Sequence, residues 1–282
     1  MHVVASNLVF PEGPRWHNGR LWFSDMHDQR VWALDPHTGH KDLIAVVDAD
    51  PSGLGWTPNG DLLIVSMQDR CLLKVSGSTP GGAVELVADL SGLATFHCND
   101  MVVDGVGRAY VGNFGFDLHG GQAPVPANVI IVEPNGDVRL GAEGFEFPNG
   151  AVITADGTTL IVAESGGRRL TAFDLDADGS MGNRRVWAPL GRLVPDGICL
   201  DADGNIWIAD PVHGGCHLIS QGGQVLATID TPPGMGAFAC ALGELDRPTL
   251  FVCVARLGGP GDWIPARSAQ ILAVPVSVGR AQ

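Results

Sequence analysis

The chain is predicted to be all-β, a six-bladed β-propeller with a central divalent metal site, in one domain spanning residues 1–282. Three observations carry this: a strand-and-turn unit that recurs at a nearly fixed period, oxygen-bearing residues at one phase of it, and no break in composition. Each unit is an apolar segment, a tight turn and a second apolar segment. The turn glycines are Gly19 in HNGRLWFSD, Gly60 in PNGDLLIVS, Gly107 in VGRAYVGN, Gly157 in ADGTTLIVA and Gly204 in ADGNIWIAD, spaced 41, 47, 50 and 47 residues apart. A sixth copy, FACALGELDRPTLFVCVA, has Asp246 at the turn. Such a period, built from short β-type runs, is that of propeller blades, whose four-stranded sheets bury their faces only against their neighbours. Helical repeats have similar periods, but RLWFSD, DLLIVS and NIWIAD are too short and too rich in β-branched and aromatic residues for helices.

The last blade lacks strands unless the run Gln270 to Val278 and the N-terminal run His2 to Val4 both join it, which would also remove an open sheet edge. With 45% hydrophobic residues, 39 Gly and 19 Pro, the chain has apolar side chains for a core and turn formers for many short strands. No apolar run approaches the roughly 20 residues that cross a bilayer, so no membrane partner is expected. MHVVASNLVFPEGP lacks the basic start and apolar stretch of a secretory signal, so a cytoplasmic location is expected. The net charge of −14 argues against nucleic acid, which needs a clustered cationic face. It serves solubility, and part of it is expected to converge on a cation. The six cysteines contain no C-x-x-C pair and read as reduced, buried apolar residues, with Cys98 adjoining the candidate site.

Phase within the repeat locates that site. Glu12 lies 7 residues before Gly19, and Asn99, Asn149 and Asp196 each lie 8 before Gly107, Gly157 and Gly204. Innermost strands ring a central channel, so equal phase brings these four residues toward one axis. Two carboxylates and two amide carbonyls suit one hard divalent cation: Ca²⁺ first, with Mg²⁺, Mn²⁺ or Zn²⁺ as alternatives. Asn149-Gly150 and Asp196-Gly197 are also ordinary turn dipeptides; it is four residues in phase that favours convergence.

FPEGPRW, HCNDMVVD, FPNGAVITADGTTLIVAES, PDGICLDADGNIWIAD and ARSAQILAVPV resemble, in that order, the senescence marker protein, gluconolactonase and luciferin-regenerating enzyme (regucalcin-like) family across essentially the whole chain. The resemblance implies a six-bladed propeller with a central divalent metal and hydrolysis of a small-molecule lactone. It places the family's metal-binding glutamate on Glu12, its P-N-G asparagine on Asn149 and its D-G aspartate on Asp196. Asn99 takes the place of an asparagine that binds metal or substrate depending on the member. Aldonolactonases of this group often carry an arginine two residues before that asparagine; here the position is His97, which leaves the particular sugar lactone open.

Asp196 can bind the cation through one oxygen and accept a proton from the attacking water through the other, which makes it the candidate catalytic base. Residues just past the second strand of each repeat should return to the same face: His27, Met67, Phe114, Glu164, His213 and Arg256. The substrate-binding candidates are His97, Asn99, Phe114 and His213. The run Asp174, Asp176, Asp178, Gly179 copies half an EF-hand loop, but position twelve is Arg185, so it reads as a blade-edge turn. No G-x-S-x-G elbow, Walker A sequence or dinucleotide fingerprint is present. A metal-dependent lactonase leads. The alternatives are a phosphotriester hydrolase of the diisopropylfluorophosphatase type and a non-enzymatic propeller holding structural calcium. Oligomeric state is not legible.

Overall fold

The computed structural model describes residues 1–281. Six four-stranded antiparallel sheets follow one another around a ring, the first five each running in chain order from the innermost strand outward. The innermost strands are Pro11–His17, Pro51–Trp56, Cys98–Val103, Pro148–Ile153, Ile198–Leu200 and Met235–Glu244, and each contacts the innermost strand of the blade on either side. The sixth sheet is built from both ends of the chain: Met235–Glu244, Pro248–Arg256, Ala269–Pro275 and, outermost, the N-terminal strand His2–Leu8, with Val3 opposite Leu272. The predicted closure therefore holds, with a longer N-terminal strand than the sequence suggested and a C-terminal strand that stops at Pro275.

Burial explains why the ring needs all its members. The buried side chains form six hydrophobic clusters; five are each shared by two adjacent blades, and the sixth joins the last blade to the first and also takes in Met67 and Phe114. Leu54, Ile64 and Val75 of the second blade, for example, pack on Trp22, Val31 and Ile44 of the first. Each blade exposes both faces if its neighbours are removed, so apolar burial is a property of the closed ring. The five turn glycines are all left-handed, with φ between 73° and 96°, as their tight turns require. The run of aspartates near Gly179 is the hairpin between Arg169–Leu175 and Met181–Pro189 at a blade edge, as expected.

The innermost strands share one irregularity. Each of the first four has its register broken at the same phase, between Pro11-Glu12 and Arg15, Pro51 and Leu54, Cys98 and Met101, and Pro148 and Ala151. The sixth breaks between Ala237 and Ala239. Bulges of this kind re-aim a side chain out of the pleat. At this phase the ring presents Glu12, Ser52, Asn99, Asn149, Asp196 and Phe238. The following glycines hold the blades close. A Cβ on Gly150 would sit 2.5 Å from the Ile198 nitrogen, and one on Gly197 2.6 Å from the Ala239 Cβ. Neither glycine has positive φ, so these dipeptides are inter-blade contacts rather than turns.

Candidate active site

One end of the ring opens into a cavity of about 1060 Å³. Glu12, Asn99, Asn149 and Asp196, drawn from four blades, all line it. Two hydrogen bonds orient the amides: Asn99 Nδ2 donates to the Pro148 carbonyl at 3.2 Å and Asn149 Nδ2 to Ser165 Oγ at 3.3 Å. Ser165 Oγ in turn donates to the Pro195 carbonyl at 2.6 Å, beside Asp196. Both amide nitrogens are thus engaged, while neither Oδ1 accepts a hydrogen bond among the described residues.

The carboxylates are compensated only in part. Burial pushes Glu12 up to about 8, with the charge of Asp100 adding to it and the Gly13 N–H and Arg15 opposing. Burial also pushes Asp196 well above the usual carboxylate range, and the Glu12 charge adds to the effect against a hydrogen bond from Asn149. Two carboxylates that repel one another, and two amide oxygens without donors, fit a hard cation shared among them. Among the described residues no three His, Cys, Asp or Glu side chains gather closely enough to hold a metal alone. The amide oxygens are therefore essential to any such donor set. Beneath Glu12, Asp100 Oδ1 accepts 2.7 Å from Arg15 Nη2, an ion pair that ties the first blade to the third.

Of the remaining candidates, His97, Phe114, His27 and Met67 line the same cavity. His97 stacks on Phe96 with ring centroids 4.1 Å apart, and burial lowers its pKa, which favours the neutral imidazole. Three candidates do not reach the cavity. His213 is held at Asp210, whose Oδ2 lies 2.9 Å from His213 Nδ1 and whose Oδ1 accepts the backbone N–H groups of Val212 and His213. It faces a smaller pocket of about 370 Å³ shared with Arg256. Glu164 is buried beneath Arg169 and Arg184, with Thr171 on the same carboxylate, and these bonds hold it below its ordinary pKa despite burial. Strand direction alone predicted these positions, and local ion pairs decided two of them, His213 and Glu164. Cys98 is a fully buried core thiol that burial pushes up to about 12; Cys199 and Cys240, both free, bring their sulfurs within 3.7 Å.

Phe114 apart, sequence reasoning missed the aromatic walls. Phe10, Phe238 and Trp263 form one aromatic group, with the Phe10 centroid 4.7 Å from Phe238 and 4.2 Å from Trp263. Phe114, Phe116 and Phe147 form another on the far side, at 4.8 and 5.7 Å from the Phe147 ring. Trp263 and Ile264 come from the α-helix Pro260–Ala266, within a segment where no periodic pattern marks a helix. The one available signal was the phenylalanine preceding both P-E-G and P-N-G.

Residues 10–256 match the profile of the SMP-30/gluconolactonase/LRE-like region. The chain is 29% identical over 266 residues to the pentonolactonase XacC of Haloferax volcanii, covering 92% of this chain and 86% of that protein. It is 25% identical over 285 residues to the gluconolactonase of Zymomonas mobilis, covering 91% and 79%. In fold it is similar to the calcium-binding protein regucalcin from Agrobacterium tumefaciens, with a TM-score of 0.82, 22% identity, and coverage of 100% of this chain and 95% of that one. A six-bladed ring, an oxygen-lined recess on its axis and this profile over most of the chain together place the protein in the SMP-30/gluconolactonase/LRE-like family.

Proposed function

We propose that the protein hydrolyses lactones, using a divalent cation held by Glu12, Asn99, Asn149 and Asp196. The observation that carries this reading is the set of four oxygen side chains from four blades at one phase in one recess. The relatives named pentonolactonase and gluconolactonase support the lactone as substrate class. Ca²⁺ suits two carboxylates and two amide carbonyls best; Mg²⁺, Mn²⁺ and Zn²⁺ are the alternatives. A cation at this position supplies Lewis-acid polarisation of the lactone carbonyl and a more acidic attacking water.

The residues of the chain do the rest. Asp196, on the cavity floor, accepts the proton of the attacking water and returns it to the leaving alkoxide. Burial and the charge of Glu12 raise its pKa, and a cation held beside it would favour the ionised form that accepts the proton. Asn149 is fixed by Ser165 and Asn99 by the Pro148 carbonyl, so the donor oxygens need no rearrangement when the substrate arrives. Neutral His97 stands at the floor as a hydrogen-bonding partner for a substrate oxygen. Oligomeric state plays no part in this reading, because every residue it uses comes from one chain.

The test compares an aldonolactone, an aliphatic lactone and a phosphotriester with and without chelator. Lactone opening that is abolished by chelation and restored by Ca²⁺ is expected. Preference for the phosphotriester, or no turnover of any substrate with metal content confirmed, overturns the reading.

A further inference from the structure

The cavity is polar at its floor, and two aromatic groups dominate its walls. Its lining includes no lysine or arginine among the described residues. Several polar side chains in the walls are occupied by the protein itself. Asp50 Oδ2 lies 3.0 Å from His27 Nδ1 and accepts from Gln68 Nε2 at 2.9 Å, Gln29 Nε2 donates to the Asp48 carbonyl at 2.6 Å, and Glu146 Oε1 accepts from Arg169 at 3.2 Å. A polyhydroxylated ligand that lost water against the aromatic faces of Phe10, Trp263, Phe114 and Phe147 would find no partner there, and each unpaired hydroxyl would cost affinity.

The rim is mixed where it meets solvent: Gln29, Gln68, His119 and Glu146 are exposed there, and so is an apolar set. Leu118, Val125, Val212 and Ile264 line the cavity and remain 45%, 43%, 56% and 49% exposed. Scattered exposed apolar residues need no explanation, but four gathered on the mouth of a cavity mark a binding surface. Size gives the same answer. A cavity on the order of 150 Å³ holds a six-membered ring, a small part of the 1060 Å³ available. Most of the space above the floor, between the two aromatic groups, is left for whatever the ring carries.

We infer that the preferred substrate is a lactone bearing an extended apolar substituent, an alkyl chain or an aryl group, rather than a polyhydroxylated sugar lactone. This rests on the lactone-hydrolase reading of the floor and assigns the walls. The ester ring meets Asp196 and His97 while the substituent runs upward between Phe10 and Trp263 on one side and Phe114 and Phe147 on the other, toward Val212 and Ile264. Burying each further methylene there should raise kcat/KM by roughly fourfold, the value for about 0.8 kcal/mol per CH₂ group, until the chain clears the rim.

The experiment measures kcat/KM of the Ca²⁺-loaded protein for δ-lactones with alkyl side chains of increasing length, for dihydrocoumarin and for glucono-δ-lactone. A steady rise with chain length is expected, carried by KM, with the sugar lactone at least 100-fold below the best alkyl lactone. In V212N/I264N the gain per methylene should fall toward unity for the longest chains, while an unaltered circular dichroism spectrum verifies folding. A sugar lactone turned over best, or a flat dependence on chain length, overturns the inference and leaves the lactonase reading standing. Failure to open any lactone removes both.

Discussion

Arg267 grips Asp28 with both arms of its guanidinium, at 2.7 and 3.0 Å, across 239 residues of sequence. Arg267 is the left-handed cap of the helix Pro260–Ala266, and Asp28 belongs to the 3-10 turn Met26–Asp28 of the first blade. The pair therefore holds Trp263 against Phe10 and His27 at the cavity wall. The same bond keeps Asp28 below its ordinary pKa.

Cutting this clasp should loosen one wall and leave the floor intact. Asp28→Asn is expected to cost ~1 kcal/mol in stability, the scale of a partly exposed pair, and to raise KM with little change in kcat. Steady-state kinetics with hydrogen exchange across residues 256–267 test this. A kcat loss as large as the KM rise would contradict the assigned role.

Asp196→Asn should retain a bound cation and lose turnover by ~10²- to 10⁴-fold, the range for a general base. Metal content measured on the same sample separates loss of the base from loss of the ion. Full lactonase activity in that sample refutes the role given to Asp196.

Glu12 makes the metal-free protein sensitive to pH. Its folded pKa of about 8 lies above the ordinary 4.5, so between these values the unfolded chain has released a proton that the folded chain still holds. Stability in chelator should thus fall as pH rises from about 5 to about 8, and Asp196, also raised, acts in the same direction. Stabilisation by added Ca²⁺ should grow over that window, since the ion needs both carboxylates ionised. Calorimetric melting at pH 5, 6, 7 and 8 reads both; a melting temperature in chelator that climbs with pH would contradict the assignment.

Two glycines of similar sequence context should differ when changed to alanine. Gly150 has Ile198 and Asp196 backbone atoms 2.5 and 2.8 Å from the added carbon, so G150A should cost ~1–3 kcal/mol through overpacking and displace Asn149. Gly157 has φ of 73° but nothing within 4 Å, so G157A should cost ~1 kcal/mol through backbone strain alone and spare activity. Urea melts and lactone assays on both variants distinguish the cases; equal losses in both would show that inter-blade spacing is not what Gly150 protects.

The repeat was readable because each turn needs a residue that accepts positive φ, and Gly19 through Gly204 announce it. The floor was readable for a related reason: a bulge at fixed phase in successive strands leaves Glu12, Asn99, Asn149 and Asp196 at fixed distances from those turns. The residues past the second strand of each repeat were readable only in part. Glu164 and His213 follow strands much as His27 and Phe114 do, and only the presence of Arg169 and Asp210 beside them decides which way they face. The walls were obscure because Phe116 and Trp263 come from segments outside the repeat, and they join the in-phase Phe10 and Phe147 only through tertiary packing.

The pairing of His2–Leu8 with Ala269–Pro275 bears on how the molecule comes into being. His2–Leu8 is synthesised before every other strand of the ring and has no partner until Ala269–Pro275 has been made, so it must wait unpaired while the other blades assemble. Ring completion is then the most non-local event of folding, and the slowest steps are expected there. Until it occurs, the apolar flanks of the first and last blades, Phe251 and Ile271 among them, stay open to any other nascent polypeptide nearby.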